Sequence, residues 1–281
     1  MTDYTRNRPS SQGARIWQPS PADKLLPHVH RVQERLATLE TPFTPIVSSF
    51  LALPGLVGFW PMSSVDVSSG DAYDVSGQAR RITYTGNPTY NAYNNSVPYI
   101  DFDGAGDYLA LTDAADLDII GNEAHNASAV RGLTMGGWFW SDSIATQYAL
   151  MGKFLAAGNQ RSYWLQFASS QANFAVSTDG VSTAINVSNG TNLTTGAWYF
   201  VVGRFIPSTQ IAVFVNNVKT SNTTSIPATI FSGTADFDIG AFSGGVLPLN
   251  GRASMCFLCA NQLSDSLISN LFSATRGWFN V

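Results

Sequence analysis

The chain has 281 residues, of which 44% are hydrophobic and only 12% charged, and its formal net charge at pH 7 is -4. This length suits one large β-sandwich with an appendage or two small domains, and we favour the first. Residues 1–40 hold six Lys or Arg against four Asp or Glu, a net +2, so the remaining 241 residues carry -6. An acidic main domain excludes a nucleic-acid groove, so we expect no nucleic-acid partner.

The low charge leaves the polar surface to Ser, Thr, Asn and Gly, which suits a protein packed into an assembly. The first residues lack the charged-then-apolar pattern of a secretory signal. No uninterrupted apolar run reaches membrane-spanning length. We therefore expect no membrane partner.

Residues 1–21 are polar, contain three prolines and show neither helical nor strand periodicity. This pattern predicts an extended arm that becomes ordered only on a partner. The residues expected to anchor the arm are Arg6, Arg8, Arg15 and Trp17.

Residues 22–40 are predicted to form a short amphipathic heptad helix. Its apolar positions alternate in steps of four and three, the spacing of a coiled-coil seam, and are Leu25, Val29, Val32, Leu36 and Leu39. Two to three heptads cannot hold a coil alone, so the helix must pack on something. Two alternatives stay open: packing against the chain's own sandwich, or self-association, for which a trimer is the first expectation.

Residues 41–54 are predicted to be a linker, because Pro42 and Pro45 disfavour helix in the residues before them. Beyond it, short β-branched and aromatic runs are separated by Gly, Asn and Ser, as in an all-β sandwich. The clearest predicted strands cover residues 133–140, 162–167, 198–205 and 210–215, and Asn216-Asn217 is a two-residue turn of the kind that tolerates positive φ.

Six motifs in order carry a family resemblance. They are Gly55-Leu56-Val57-Gly58-Phe59-Trp60-Pro61, Phe102-Asp103-Gly104-Ala105-Gly106-Asp107-Tyr108-Leu109, Thr195-Gly196-Ala197-Trp198, Phe214-Val215-Asn216-Asn217-Val218, Asp236-Phe237-Asp238-Ile239-Gly240 and Leu249-Asn250-Gly251-Arg252-Ala253. Together they resemble the laminin-G-like (concanavalin A-like) jelly-roll family. The resemblance implies an all-β sandwich of that type over residues 55–281, preceded by the arm and helix. It fixes no activity, because one fold hosts lectins, adhesion modules and glycosidases.

Calcium is the cofactor that the resemblance implies, because many relatives hold an ion with carboxylates and backbone carbonyls. Asp74, in a loop similar to the family's "YDxSGN", is the candidate ligand. The last strand departs from the family pattern: Ser254 and Met255 stand where relatives carry two acids. Calcium is therefore left open, as no cofactor is firmly expected.

We predict no catalytic residues. The alternating Glu-x-Asp-x-Glu strand of glycosidases with this fold is missing, and retaining cleavage requires two positioned carboxyl groups. Asp236 and Asp238 share a strand face, but their expected role is surface solvation beside an inward Phe237. Cys256 and Cys259, three apart on a strand, point to opposite faces, so no disulfide is expected.

Trp138 and Trp140 are the candidate glycan-binding residues. They share one face of a predicted strand, which is either covered by a second packed layer or exposed as an aromatic platform. The expected function is that of a non-enzymatic structural or adhesive virion protein, as a head decoration, fibre or tail-associated component on the virion surface. Its expected partners are other virion proteins, further copies of itself and host surface glycans. The alternative is a carbohydrate-binding module of a cell-surface or exported system.

Overall fold

The computed structural model describes residues 43–62, 65–66, 71–93, 97–119 and 132–281. The chain divides into two units, Met1–Thr44 and Pro45–Val281. The predicted arm and heptad helix, with the anchoring and oligomerisation residues assigned to them, lie outside the described residues. Within these residues, no helix has the length and apolar character needed to cross a membrane.

The described strands form two antiparallel sheets. In chain order the strands are β1 (Leu56–Trp60), β2 (Val65–Asp66), β3 (Asp71–Ala72), β4 (Ile82–Thr85), β5 (Thr89–Tyr93), β6 (Val97–Asp103), β7 (Tyr108–Leu111), β8 (Leu133–Ser141), β9 (Gln147–Leu155), β10 (Gln160–Ala168), β11 (Gln171–Val176), β12 (Ile185–Ser188), β13 (Trp198–Ile206), β14 (Gln210–Val215), β15 (Val218–Asn222), β16 (Phe237–Ile239) and β17 (Asn250–Cys259). Sheet A has the order β15-β14-β13-β8-β17-β6-β5, with β1 also paired to β17, and sheet B has the order β12-β11-β10-β9-β16-β7-β4-β3-β2. This confirms the predicted β-sandwich.

The main core lies between the two sheets. Alternate side chains of each strand face it, as the two-residue period of a strand requires. Sheet A contributes Phe102, Phe139 and Phe205, and sheet B contributes Phe167 and Phe174, all of them fully or almost fully buried. The Asn216-Asn217 turn is confirmed between β14 and β15, because both residues have positive φ, 47° and 69°.

Two helices add a partial third layer. Helix α1 (Phe43–Leu51) occupies most of the stretch predicted as a linker, which corrects that prediction. Pro45 is tolerated because it lies in the first turn, where its missing amide hydrogen costs no helical bond. Phe50, fully buried, stacks on Phe59 with ring centroids 4.4 Å apart and also contacts Phe257. The packed unit therefore begins before residue 55.

Helix α2 (Asp265–Thr275) follows the last strand and was not predicted. The side chain of Ser264 caps it by accepting a hydrogen bond from the Leu267 amide. Arg204 of β13 donates to Asp265 at its first turn, at 2.5 Å, and to the Leu263 carbonyl at 2.8 Å. These bonds hold α2 against the outer face of sheet A.

A buried lysine links two loops at one end of the sandwich. The fully buried Lys153 of β9 donates to a carboxylate oxygen of Asp113 and to the backbone carbonyls of Gly233 and Ala235. A carboxylate oxygen of Asp118 lies 3.4 Å from the same ammonium group. Because an unpaired buried charge is costly, these partners must remain in place around it.

Both cysteines are buried, and both are free, as their spacing on the strand predicted. Cys256 contributes to the main core, and the register of β17 shifts between Ser254 and Phe257, around Met255 with its positive φ of 49°. Burial raises the pKa of both thiols well above the ordinary range. Neither thiol is therefore suited to react as a thiolate.

Candidate functional site

Five side chains form a line across sheet A, on the face directed away from the core. The strand register pairs Trp198 with Trp140, Trp140 with Arg252, Arg252 with Asp101 and Asp101 with Thr89. Their chain neighbours Phe139, Ala253 and Ile100 lie in the core, so the five point outward. We call Trp198, Trp140, Arg252, Asp101 and Thr89 the sheet A row.

Arg252 lies at the centre of this row. Its guanidinium carbon is 4.8 Å from the ring centroid of Trp140 and 5.2 Å from that of Tyr99. Its Nε is 3.5 Å from a carboxylate oxygen of Asp101, directly across the strand pair. Two cation–π contacts and an ion pair thus restrict the orientation of the guanidinium.

Trp140 is the partly exposed aromatic ring of the row. Its indole N–H donates to the Asp142 carboxylate at 2.9 Å. Trp198, almost fully buried, meets it edge to face with centroids 6.0 Å apart, and in turn contacts Tyr99 and Phe279. The Trp140 ring is therefore held in place while part of its surface stays accessible.

Trp138, the other candidate glycan-binding residue, is covered. Its ring stacks on Phe279 with centroids 4.1 Å apart, and its indole N–H donates to the Thr275 hydroxyl at 2.9 Å. Phe272 of α2 also lies against it. Trp138 is fully buried and cannot contact a sugar, because α2 and the C-terminal residues form the second layer that the sequence left open.

Asp101 and Arg252 set the electrostatics of the row. Their side chains are 32% and 25% exposed, so their ion pair is only partly screened by water. Partial burial raises the pKa of Asp101, and the nearby Asp142 raises it further, while Arg252 opposes both effects. The Asp101 carboxylate has thus lost part of its contact with water. Hydrogen bonds from hydroxyl groups would therefore stabilise its charged form.

The comparisons with known proteins agree with this architecture. The model of the concanavalin A-like lectin/glucanases superfamily matches residues 102–256, more than half of the chain. The chain belongs to this superfamily. Comparison with curated protein sequences gives no significant match.

Several solved structures share the fold at low sequence identity. The binding domain of Paraclostridial Mosquitocidal Protein 1 matches with a TM-score of 0.58 and 11% identity over 78% of this chain and 52% of that chain. The binding domain of botulinum neurotoxin DC in complex with SialylT gives 0.55 and 14%, over 80% and 52%. Domain 4 of AbnA, an extracellular arabinanase from Geobacillus stearothermophilus, in complex with arabinotriose, gives 0.54 and 14%, over 77% and 97%. The chain spans about half the length of the toxin structures.

As a member of this superfamily, the chain is a lectin-like sandwich.

Asp74 is the residue that the sequence indicates as the candidate calcium ligand. One Asp74 oxygen accepts hydrogen bonds from the amides of Phe59, at 3.0 Å, and Ser76, at 2.8 Å. The other accepts from the Ser76 hydroxyl, at 2.7 Å, and the Arg80 amide, at 2.9 Å. A calcium ion needs oxygen lone pairs directed at it, and here four protein donors occupy them, so this donor set does not fit calcium. Across the described ranges, no group of three or more His, Cys, Asp or Glu is arranged to hold a metal.

Asp236, which directly precedes β16, and Asp238, within it, do not form the predicted solvated pair. Asp238 is fully buried under the segment that follows its strand, and the Ser243 hydroxyl donates to one of its oxygens at 2.8 Å. Burial raises the pKa of Asp238 to about 7, against an ordinary value of 3.8. Asp236 instead accepts a hydrogen bond from the Asp113 amide at 3.0 Å. The predicted inward position of Phe237 is confirmed.

Sequence reasoning missed most of the sheet A row. Arg252 and Asp101 lie at outward positions of β17 and β6, and this alternation of inward and outward residues was the available signal. The register that brings Arg252 between Trp140 and Asp101 depends on pairings between strands more than one hundred residues apart. No local pattern reports those pairings.

Proposed function

We propose that this chain is a non-enzymatic adhesive component of a larger particle, and that it binds glycans through the sheet A row. The observation that carries the proposal is the line of Trp140, Arg252 and Asp101 on an outer sheet face, held by the strand register. It combines a partly exposed aromatic ring with a fixed donor and a fixed acceptor.

The chemistry of a sugar matches this combination. A sugar ring has an apolar C–H face, which packs on an aromatic side chain, and a rim of hydroxyl groups that donate and accept hydrogen bonds. The Asp101 carboxylate accepts from hydroxyls, and the Arg252 guanidinium donates to them. Trp140 and Arg252 are both already ordered by their neighbours, so little conformational entropy is lost when a glycan binds.

The particle that we propose is a bacteriophage virion. The low share of charged residues and the net positive charge of residues 1–40 support this setting, because they suit an attached surface protein. In this proposal Arg6, Arg8, Arg15 and Trp17 contact another virion protein, and the heptad positions of residues 22–40 associate as a trimer. The second setting is a carbohydrate-binding module of a cell-surface or exported system, favoured by the likeness to a domain of an extracellular arabinanase.

Glycan binding is tested with the purified chain on a glycan array, followed by calorimetry on the glycans retained. We expect Trp140→Ala to lower affinity at least tenfold, the scale of a buried aromatic contact in an interface. Tyr90→Ala is the matched control, since Tyr90 is an exposed aromatic residue beside Thr89 on β5 but on the opposite strand face. Equal losses in both variants, or no binding by the wild type, would contradict the proposed site.

The non-enzymatic part is tested separately. Pure protein is incubated with β-glucans, galactans, alginate and bacterial surface polysaccharides, and released reducing ends or unsaturated sugars are measured. We expect no release. Release that disappears when Asp236 and Asp238 are both changed to Asn would contradict the proposal.

The virion setting is tested on purified particles from the source by mass spectrometry. We expect the chain in the particles, and its loss after deletion of residues 1–40. A truncated chain that is still incorporated would remove the anchoring role of residues 1–40.

Self-association is tested by replacing Val32 and Leu36 with Asp. This change should turn oligomers into monomers in light scattering.

A further inference from the structure

The charges around the sheet A row are unequal. Three carboxylates accompany one guanidinium: Asp101 is paired with Arg252, Asp142 accepts from Trp140, and Asp103 lies two residues from Asp101 on the same face of β6. The side chains of Asp103 and Asp142 are exposed. These four groups together carry a formal charge of about -2 at neutral pH.

The one cation among these four groups is already engaged. Arg252 faces the Asp101 carboxylate at 3.5 Å and lies over the rings of Trp140 and Tyr99. A carboxylate on a ligand would have to compete with Asp101 for this guanidinium while approaching Asp142 and Asp103. Like charges at such short range repel each other, so an anionic ligand is disfavoured.

A neutral sugar is not repelled by these carboxylates and can form hydrogen bonds with them. Its hydroxyl groups donate to carboxylate oxygens, which can only accept, and such charge-assisted bonds are stronger than bonds between neutral groups. One oxygen of Asp103 accepts from the Ala105 amide at 2.7 Å, and one oxygen of Asp142 accepts from the Trp140 indole at 2.9 Å. Asp101 and Asp142 are the acceptors best placed for a sugar on the Trp140 ring, because Asp142 is bonded to that ring and Asp101 pairs with the Arg252 that lies over it.

We infer that the sheet A row selects uncharged glycans and rejects glycans that bear a carboxylate, such as those ending in a sialic or uronic acid. This inference rests on the proposed function and adds the ligand class. It assigns Asp101 and Asp142 a double role, since they bind hydroxyl groups and repel anionic sugars.

The test compares glycan pairs that differ in one carboxylate. Lactose is paired with sialyllactose, and galactan oligosaccharides are paired with galacturonan oligosaccharides of the same length. Binding is measured by calorimetry at low and at high salt. We expect the neutral member to bind at least tenfold more tightly at low salt. This ratio should fall at high salt, because salt screens repulsion between exposed charges.

The variants separate charge from structure. The double variant Asp101→Asn with Asp142→Asn removes two negative charges with little change in shape, and should reduce the ratio toward one. Asp179→Asn is the control, because Asp179 is an exposed carboxylate in the turn after β11 of the other sheet. Thermal unfolding of each variant shows whether the fold is intact.

The outcomes distinguish the two claims. An acidic member that binds as tightly as its neutral partner, or more tightly, would overturn the selection of uncharged glycans while leaving the glycan site in place. An unchanged ratio in the double variant would overturn the roles of Asp101 and Asp142. If no glycan of either class binds, or if Trp140→Ala binds as wild type does, the proposed function fails and the inference fails with it.

Discussion

The outer faces of the two sheets carry similar rows of residues, but the two rows differ in solvent exposure. On sheet B the register aligns Ala175, Trp164, Gly152, Asp238 and Ala110, which we call the sheet B row. Like the sheet A row, it places a tryptophan and an aspartate on one face. The sheet A row remains partly open, whereas the centre of the sheet B row is closed.

The segment from Gly240 to Leu249 closes the sheet B row. Its Ser243 amide donates to the Phe154 carbonyl, and its Leu247 carbonyl accepts from the Ala149 amide at 2.8 Å. Phe242 and Leu247 then pack with Trp164, which is only 5% exposed. No comparable segment covers Trp140 among the residues that the structure describes.

The comparison shows that the segment packed over a sheet face determines the solvent exposure of its side chains and, through that exposure, their pKa. Asp101 is 32% exposed and lies next to the Arg252 guanidinium, so water still reaches its carboxylate. Asp238 is fully buried with a single hydroxyl donor, so burial dominates and raises its pKa to about 7. Three comparisons of variants would test this difference, starting with the largest expected effect.

The first compares two tryptophans. Trp164→Ala should lower the free energy of unfolding by about 3–5 kcal/mol, the usual range for a buried aromatic residue, because it leaves a cavity under the closing segment. Trp140→Ala should lower it by less than about 1.5 kcal/mol, because part of the ring already faces water. Urea unfolding of both variants measures the difference. Equal losses would show that the two faces are covered alike.

The second concerns the pH dependence of stability. Because the folded state raises the pKa of Asp238 from 3.8 to about 7, the folded chain holds this proton more tightly than the unfolded chain. Its contribution to stability is therefore complete below the unfolded pKa and is lost as pH rises toward 7. One pKa unit corresponds to about 1.4 kcal/mol, so we expect the free energy of unfolding to fall by about 2–3 kcal/mol between pH 5 and pH 7.

Asp238→Asn is the variant that isolates this effect. An amide does not titrate, so the slope of stability between pH 5 and pH 7 should become nearly flat. Asp101→Asn, in the open row, serves as the matched control and should leave most of the wild-type slope in place. A wild-type slope that persists in Asp238→Asn would assign the pH dependence to other groups.

The third and smallest effect concerns Arg252. Arg252→Lys keeps the positive charge but loses the planar group that lies over Trp140 and Tyr99. We expect a loss of about 1 kcal/mol in the free energy of unfolding, the scale of two partly exposed cation–π contacts. Thermal unfolding measures it. A loss as large as that of Trp164→Ala would mean that the sheet A row is as tightly packed as the sheet B row.

Local patterns predicted the strands well. The runs 133–140, 198–205 and 210–215 are strands to within a residue, and Asn216-Asn217 forms the expected turn. Each of these features depends on side-chain alternation or on backbone preferences of a few adjacent residues. Helix α1 was missed because two prolines argued against a helix, although one of them lies at a position in the first turn that tolerates it.

Of the two candidate glycan residues, Trp140 remains available and Trp138 does not. They are two positions apart on one face of β8, and nothing in their local sequence distinguishes them. The difference arises because the C-terminal residues Thr275 and Phe279 return to cover Trp138. Such contacts join residues more than one hundred positions apart, so only the folded chain reveals them.

The sequence by itself determined the sandwich, the faces of its strands and the absence of a cysteine bridge, because these follow from two-residue alternation and from the motif order. The tertiary structure decided which outward positions stay in water. Asp236 and Asp238 alternate as solvated acids do, yet the segment after β16 encloses Asp238. Arg252 came next to Trp140 and Asp101 only when distant strands paired. Pairing and coverage are long-range events, and they are settled by packing energy summed over the whole core rather than by local preference.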